Sequence, residues 1–291
     1  MKKYFRKTYC SACGKPVDPT ASLCPSCGHN RLSDSDGPRG FEQHVHCGWP
    51  RQLISFLVGW AGFQVAGLLF EVVLLSLYMG TTSGVTTKEA EAWLLQGWPY
   101  LLINFGGYTL TFLALLLTLW PVRKQLVKPL TQGRSHLAGL IGGIAIIGSS
   151  IAWSYLAQTF WPDTTSNANQ SALEGMIKEA PILSLLFLGL IAPACEELTY
   201  RVGLFGFLKS WNTYAAYIIA PIVFGLIHFD WTAIGTAAIT NELINIPSYI
   251  IAGVGFAFLY DHYGLGASWF AHATNNLASV ILTIVKGYLT K

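Results

Sequence analysis

Apolar runs long enough to cross a hydrocarbon core of roughly 30 Å recur along this chain from about residue 52 onward, nearly free of charge. They predict membrane spans at about 53–79, 98–121, 136–159, 181–208, 212–229, 246–262 and 265–287. The stretch from Asp230 to Asn245 is apolar enough to hide a short or re-entrant helix, so eight membrane elements compete with seven. No internal repeat is visible. The expected fold class is an all-α polytopic membrane bundle of about seven to eight transmembrane helices. Ahead of it lies a piece of another character. Cys10 to His29 reads as compact, and Arg31 to Gly40, rich in Ser, Asp, Gly and Pro, reads as a flexible linker.

Composition agrees with the pattern. The chain has 291 residues, of which 52% are hydrophobic and only 11% charged, against about 25% charged in a soluble domain. Its net charge of +3 is unevenly placed: residues 1–51 hold eight Lys or Arg against four acids, and residues 52–291 ten against eleven. The front is a basic, soluble piece, but its few cations compete with anionic lipid, so nucleic acid is an unlikely partner. Met1 to Thr20 has no apolar core of the ~7–15 residues a signal peptide needs, so the front domain is expected to stay attached. Lys2, Lys3, Arg6 and Lys7, with Arg123, Lys124, Lys128 and Arg134 between spans two and three, predict a cytoplasmic N-terminus. Trp49, Trp93, Trp98, Trp120, Trp161 and Trp211 fall near span ends, where an indole suits the headgroup level.

Cys10, Cys13, Cys24 and Cys27 form two CxxC pairs, each followed directly by a glycine, Gly14 and Gly28. Two cysteines three apart on a tight turn aim both thiolates at one ion, and four thiolates close a tetrahedral zinc site. Glycine supplies the positive φ that such a turn requires. Two disulfides or four idle thiols are the alternatives, set behind zinc given the cytoplasmic placement. The reading is a small zinc ribbon at 1–30, a linker at 31–51 and a membrane domain at 52–291. Its zinc is structural, since a closed site leaves no position for chemistry. A ribbon this short needs its metal to fold, and it could dock a protein partner or cap the bundle. His29, His44 and His46 are assigned nothing, and Cys47 and Cys195 remain as free thiols.

One span carries groups that crossing a membrane does not require. Ile182 to Leu208 holds Pro193, Cys195, Glu196, Glu197 and Arg201 near its middle. A charge at mid-bilayer costs at least ~2.5 kcal/mol, so such groups face the bundle interior and pair or work. Glu197 and Arg201, four apart, can form an ion pair, while Glu196 points about 100° away from it. Phe224 and His228 lie four apart over Pro221, and His272 and Asn276 four apart in the last span. Glu71, and Glu242 with Asn245, are read as lining or loop residues. A carboxylate and an imidazole can polarise water, and neutral donors can meet the negative charge that develops on an attacked carbonyl.

In this order, EExxxR at Glu196, Glu197 and Arg201, FxxxH at Phe224 and His228, and HxxxN at His272 and Asn276 resemble the three motifs of the CAAX protease and bacteriocin-processing family. The likeness covers about 181–280. The glycine that usually follows the arginine is Val202 here, with Gly203 one later. The resemblance implies an intramembrane endopeptidase acting on membrane-associated proteins or peptides, in a membrane such as the bacterial plasma (inner) membrane. It implies that Glu196 and His228 activate water, that His272 and Asn276 form the oxyanion hole, and that Glu197 and Arg201 support them. Glu196, His228 and His272 would also suit a catalytic zinc, so the catalytic metal stays open. The alternative is a non-proteolytic membrane scaffold or bacteriocin-immunity protein whose ribbon binds a partner. Depth is a further constraint. At ~1.5 Å per residue, Glu196 lies about 20 Å and His228 about 24 Å into their spans, but His272 only about 10 Å. The last span must then begin below the surface, or Asp230–Asn245 must re-enter.

Overall fold

The computed structural model describes residues 8–10, 15–18, 21, 23–27, 45 and 47–289. Cys13, His29, His44, His46 and most of the expected linker lie outside them. At the front, β1 (Thr8–Tyr9) and β2 (Pro16–Val17) pair antiparallel, Thr8 opposite Val17 and Tyr9 opposite Pro16. Cys10, Val17 and Cys24 bury a minimal core beside them. The rest of the chain is helical: α1 (Trp49–Thr81), α2 (Thr87–Leu94), α3 (Gly97–Thr118), α4 (Arg123–Val127), α5 (Gly133–Phe160) and α6 (Ala168–Glu179). Then come α7 (Pro181–Lys209), α8 (Thr213–Leu226), α9 (Thr236–Tyr263) and α10 (Leu265–Leu289).

Each of the seven expected spans corresponds to one of these helices. Five of them, α1, α3, α5, α7 and α9, are long and apolar enough to cross a membrane. The fifth span is the short α8, 14 residues; the seventh is α10, whose apolar run is interrupted by His272, Asn275 and Asn276. The stretch from Asp230 to Asn245 forms no separate re-entrant helix. Residues 236–245 instead extend α9, which runs through Pro247 as one helix of 28 residues. Glu242 and Asn245 are therefore helical, not loop residues. Glu71 lies on an exposed face of α1.

Small residues let these helices approach closely, as packing without a hydrophobic drive requires. A Cβ on Gly59 of α1 would fall 1.9 Å from Thr199 Oγ1 of α7, and one on Gly203 would fall 2.7 Å from the Phe56 backbone nitrogen. Gly203, one place after the expected glycine, thus faces a helix contact. At the start of α10, Gly264 turns the chain at φ 84°. A Cβ on Gly266 would fall 2.5 Å from the Pro129 carbonyl oxygen, so the turns at 120–131 cover the first turn of α10, and Leu265 and Ala267 are buried. The last span starts beneath this cover, and its His272 stands beside Glu196 of α7.

The central helix, α7, is irregular. It widens into π geometry at Phe187–Ile191 and again at Glu197–Phe205, with an α turn at Ala192–Glu196 between them. In the first wide turn the Ala192 N–H reaches back five residues to Phe187. The next donor in that series would be Pro193, which has no N–H. Its acceptor, the Leu188 carbonyl, is served from another helix: Asn276 Nδ2 of α10 donates to it at 3.0 Å. Trp269 Nε1 donates likewise to the Leu190 carbonyl at 3.3 Å. π segments recur at functional sites, and this pair brackets Glu196.

Candidate active site

Glu196 and Glu197 leave α7 in different directions, as their spacing predicts, yet both reach His272 of α10. The Nδ1 of His272 lies 2.9 Å from Glu197 Oε1, and its Nε2 lies 3.7 Å from Glu196 Oε2. An ionised carboxylate only accepts, so Nδ1 carries a hydrogen toward Glu197 and Nε2 is the nitrogen left toward Glu196. Glu197 also accepts from the Ser268 hydroxyl and pairs with Arg201, whose Nε stands 3.3 Å from Oε2. Both members of that pair are wholly buried. The Arg201 guanidinium lies over Phe224 at 4.6 Å and Phe256 at 5.5 Å. Such faces attract a cation that has been stripped of water.

Phe256 stacks on His272 at 4.3 Å. Phe224 meets the rings of His228 and His272 edge-on at 5.1 and 5.9 Å, which explains an aromatic at the head of FxxxH. His228 itself lies just beyond the end of α8, at a turn closed by its N–H on the Gly225 carbonyl. The helix continuation expected through this residue is absent. The ring is fixed by Nδ1, 2.8 Å from the Phe224 carbonyl oxygen, and by Tyr249, stacked at 4.3 Å. A carbonyl cannot donate, so the hydrogen sits on Nδ1 and Nε2 is free to accept.

Glu196, His228, His272 and Asn276 line one cavity of about 700 Å³, together with Tyr108 and Tyr249. Glu197 and Arg201 stand behind its wall. Asn276 is spoken for in part: one amide hydrogen goes to Leu188, and its carbonyl oxygen accepts from Asn275 Nδ2 at 3.2 Å. Three further residues contribute beyond the expected set. Tyr108 of α3 donates its hydroxyl to Glu196 Oε1 at 2.8 Å. Ser268 lies four residues before His272 on the same face, a spacing that could have flagged it. Glu242, read as a lining or loop residue, is instead a buried clamp. It accepts from the Ala168 N–H at 2.9 Å and the Asp230 N–H at 3.1 Å, which holds α6 over the turn carrying His228.

With this geometry in hand, comparison with known proteins becomes specific. Residues 178–278 match the family model of Rce1-like type II CAAX prenyl endopeptidases. That stretch contains all six expected site residues. Residues 6–30 match the zinc-ribbon domain. An uncharacterized protein of Mycoplasma capricolum subsp. capricolum is 30% identical over 110 residues, 37% of this chain and 30% of that protein. The chain thus spans under a third of that relative's length. No solved structure matches it.

In the ribbon, the sulfurs of Cys10, Cys24 and Cys27 lie within 4.8 Å of one another, and Cys10 and Cys27 are 3.6 Å apart. Tetrahedral zinc with Zn–S of ~2.3 Å needs sulfurs about 3.8 Å apart, so this donor set fits a structural zinc. Burial raises the Cys24 thiol, but the Ser26 N–H and the Cys10 and Cys27 sulfurs outweigh it and bring it down to about 6. Cys13 lies outside the described residues. Cys47, at the foot of α1, is pushed up to about 11 by burial, as befits an inert thiol.

Proposed function

We propose that this chain is an intramembrane endopeptidase that hydrolyses peptide bonds of membrane-associated proteins or peptides. The observation that carries the reading is the approach of Glu196 Oε2 to His272 Nε2 at 3.7 Å, on the wall of a cavity that His228 also lines. That distance is beyond direct hydrogen-bond reach, and one water held between such groups would be polarised from both sides. Glu196 takes a proton from this water, assisted by the accepting Nε2 of His228. The water oxygen attacks the peptide carbonyl carbon, the C–N bond breaks, and the proton passes to the leaving amine. His272, turned by Glu197, and the second amide hydrogen of Asn276 are the donors available to the oxyanion. His272 serves that role when Nε2 also carries a proton.

A catalytic metal on Glu196, His228 and His272 would need their ligand atoms gathered tightly. Among the described residues, the cluster within 4.8 Å is the cysteine set of the ribbon. We assign the structural zinc to the ribbon, and water activation to Glu196 and His228 on their place at the cavity wall. The positive residues at the ribbon end of the bundle favour a cytoplasmic N-terminus. The test is cleavage of a membrane-associated peptide by the purified full chain in detergent. Glu196→Ala and His228→Ala should each abolish it while leaving the thermal transition in place. Unchanged cleavage in both variants overturns the assignment.

A further inference from the structure

The family match begins at residue 178, yet Glu196 is held by a residue far upstream of it. We propose that Tyr108 is a positioning residue for Glu196, its hydroxyl pinning Oε1 so that Oε2 is the oxygen presented to His272 and the cavity. The inference rests on the peptidase reading. Its physical basis is the contact itself: a phenolic donor 2.8 Å from Oε1, across 88 residues of sequence, at the wall of the cavity.

A glutamate carboxylate is otherwise poorly fixed, because its terminal torsion is broad and two-fold. Glu196 differs here from Glu197, which has Arg201, Ser268 and His272 to define both oxygens. Tyr108 donates to Glu196 at hydrogen-bond distance, and it is itself immobilised. Its ring lies 4.5 Å from that of Phe63 of α1 and 5.4 Å from that of Phe187 of α7. The donor is thus set by packing before substrate enters, which is the condition for a preorganised base.

The test is Tyr108→Phe, which keeps the ring contacts and removes the hydroxyl. We expect kcat on a cleavable membrane peptide to fall on the order of ten- to a hundred-fold, with KM and the thermal midpoint nearly unchanged. In a Glu196→Asp background, whose shorter carboxylate is withdrawn from the hydroxyl, the same change should add little. The carboxylate infrared band of Glu196, taken as the difference between wild type and Glu196→Gln, should shift in Tyr108→Phe.

Wild-type kcat in Tyr108→Phe overturns the proposal, as does a rise in KM alone, which would mark Tyr108 as a substrate contact. If the wild type cleaves no peptide, the peptidase reading fails by itself. The infrared band then still decides the positioning role, and an unshifted band overturns it.

Discussion

Arg201→Met removes one charge from a pair with no access to water. At the observed 3.3 Å separation, and with an effective dielectric of ~20, the attraction within the pair is about 5 kcal/mol. Its desolvation cost has already been met in the folded bundle, so deleting the cation strands Glu197 with only His272 and Ser268. The expected loss of stability is about 3–5 kcal/mol. Methionine fills much of the space between Phe224 and Phe256, so lost packing is a minor part of that loss. Glu197→Gln in the same chain should restore part of it, because the amide oxygen still accepts from His272 and no buried charge remains. Unfolding in mixed micelles at fixed lipid-to-detergent ratio measures each variant. If Arg201→Met unfolds with the wild type, or if the double variant equals the sum of the two singles, the buried pair does not carry the stability assigned to it.

Asn276→Ala leaves the Leu188 carbonyl without its donor and should cost about 1–3 kcal/mol even in a Glu196→Ala background where no catalysis occurs. An unchanged unfolding midpoint would show that Asn276 does not brace the wide turn. In the ribbon, metal analysis should find one zinc per chain, lost in Cys24→Ser, with the thermal transition of the helices unmoved; zinc that persists in the variant contradicts the thiolate site. The amide and hydroxyl of Thr86 both donate to Glu89 at 2.8 Å, ahead of α2. They hold the Glu89 carboxyl below its usual 4.5. Its contribution to the start of α2 is therefore full above that ordinary value and lost as pH falls through the depressed one. Hydrogen-exchange protection at Thr87–Leu94 should fall with it, and protection independent of pH would count against the capping box.

Much of the bundle was legible because lipid imposes a simple rule on sequence: each span must be apolar for its length. The seven runs and the charged intrusions in the fourth followed from that rule alone. Helical spacing also paired Glu197 with Arg201 correctly. What spacing could not reach were contacts fixed by three-dimensional packing. Tyr108 is one aromatic in an apolar run, and nothing local marks it as the partner of Glu196. The contact that turns His272, its Nδ1 on Glu197, was not visible either, because it joins residues 75 apart on different helices. The π turns were hidden because Pro193 reports a missing donor but not which carbonyl goes unserved. The early start of α9 escaped because Asp230–Asn245 mixes polar and apolar residues without a clear period.

The borrowed hydrogen bonds of α7 bear on how the chain is made. Leu188 and Leu190 receive their donors from Asn276 and Trp269, 88 and 79 residues later. When α7 leaves the ribosome, those donors have not been synthesised, nor has Ser268 or His272 to face Glu197. The nascent helix then carries two carboxylates, a guanidinium and the Leu188 carbonyl without its donor, each costly in hydrocarbon. Long and apolar enough to cross a membrane, this segment still carries its polar centre only partly paired until those partners arrive. The pairing of Glu197 and of the Leu188 carbonyl is therefore completed only once α10 has been translated, and the centre of the site is assembled last.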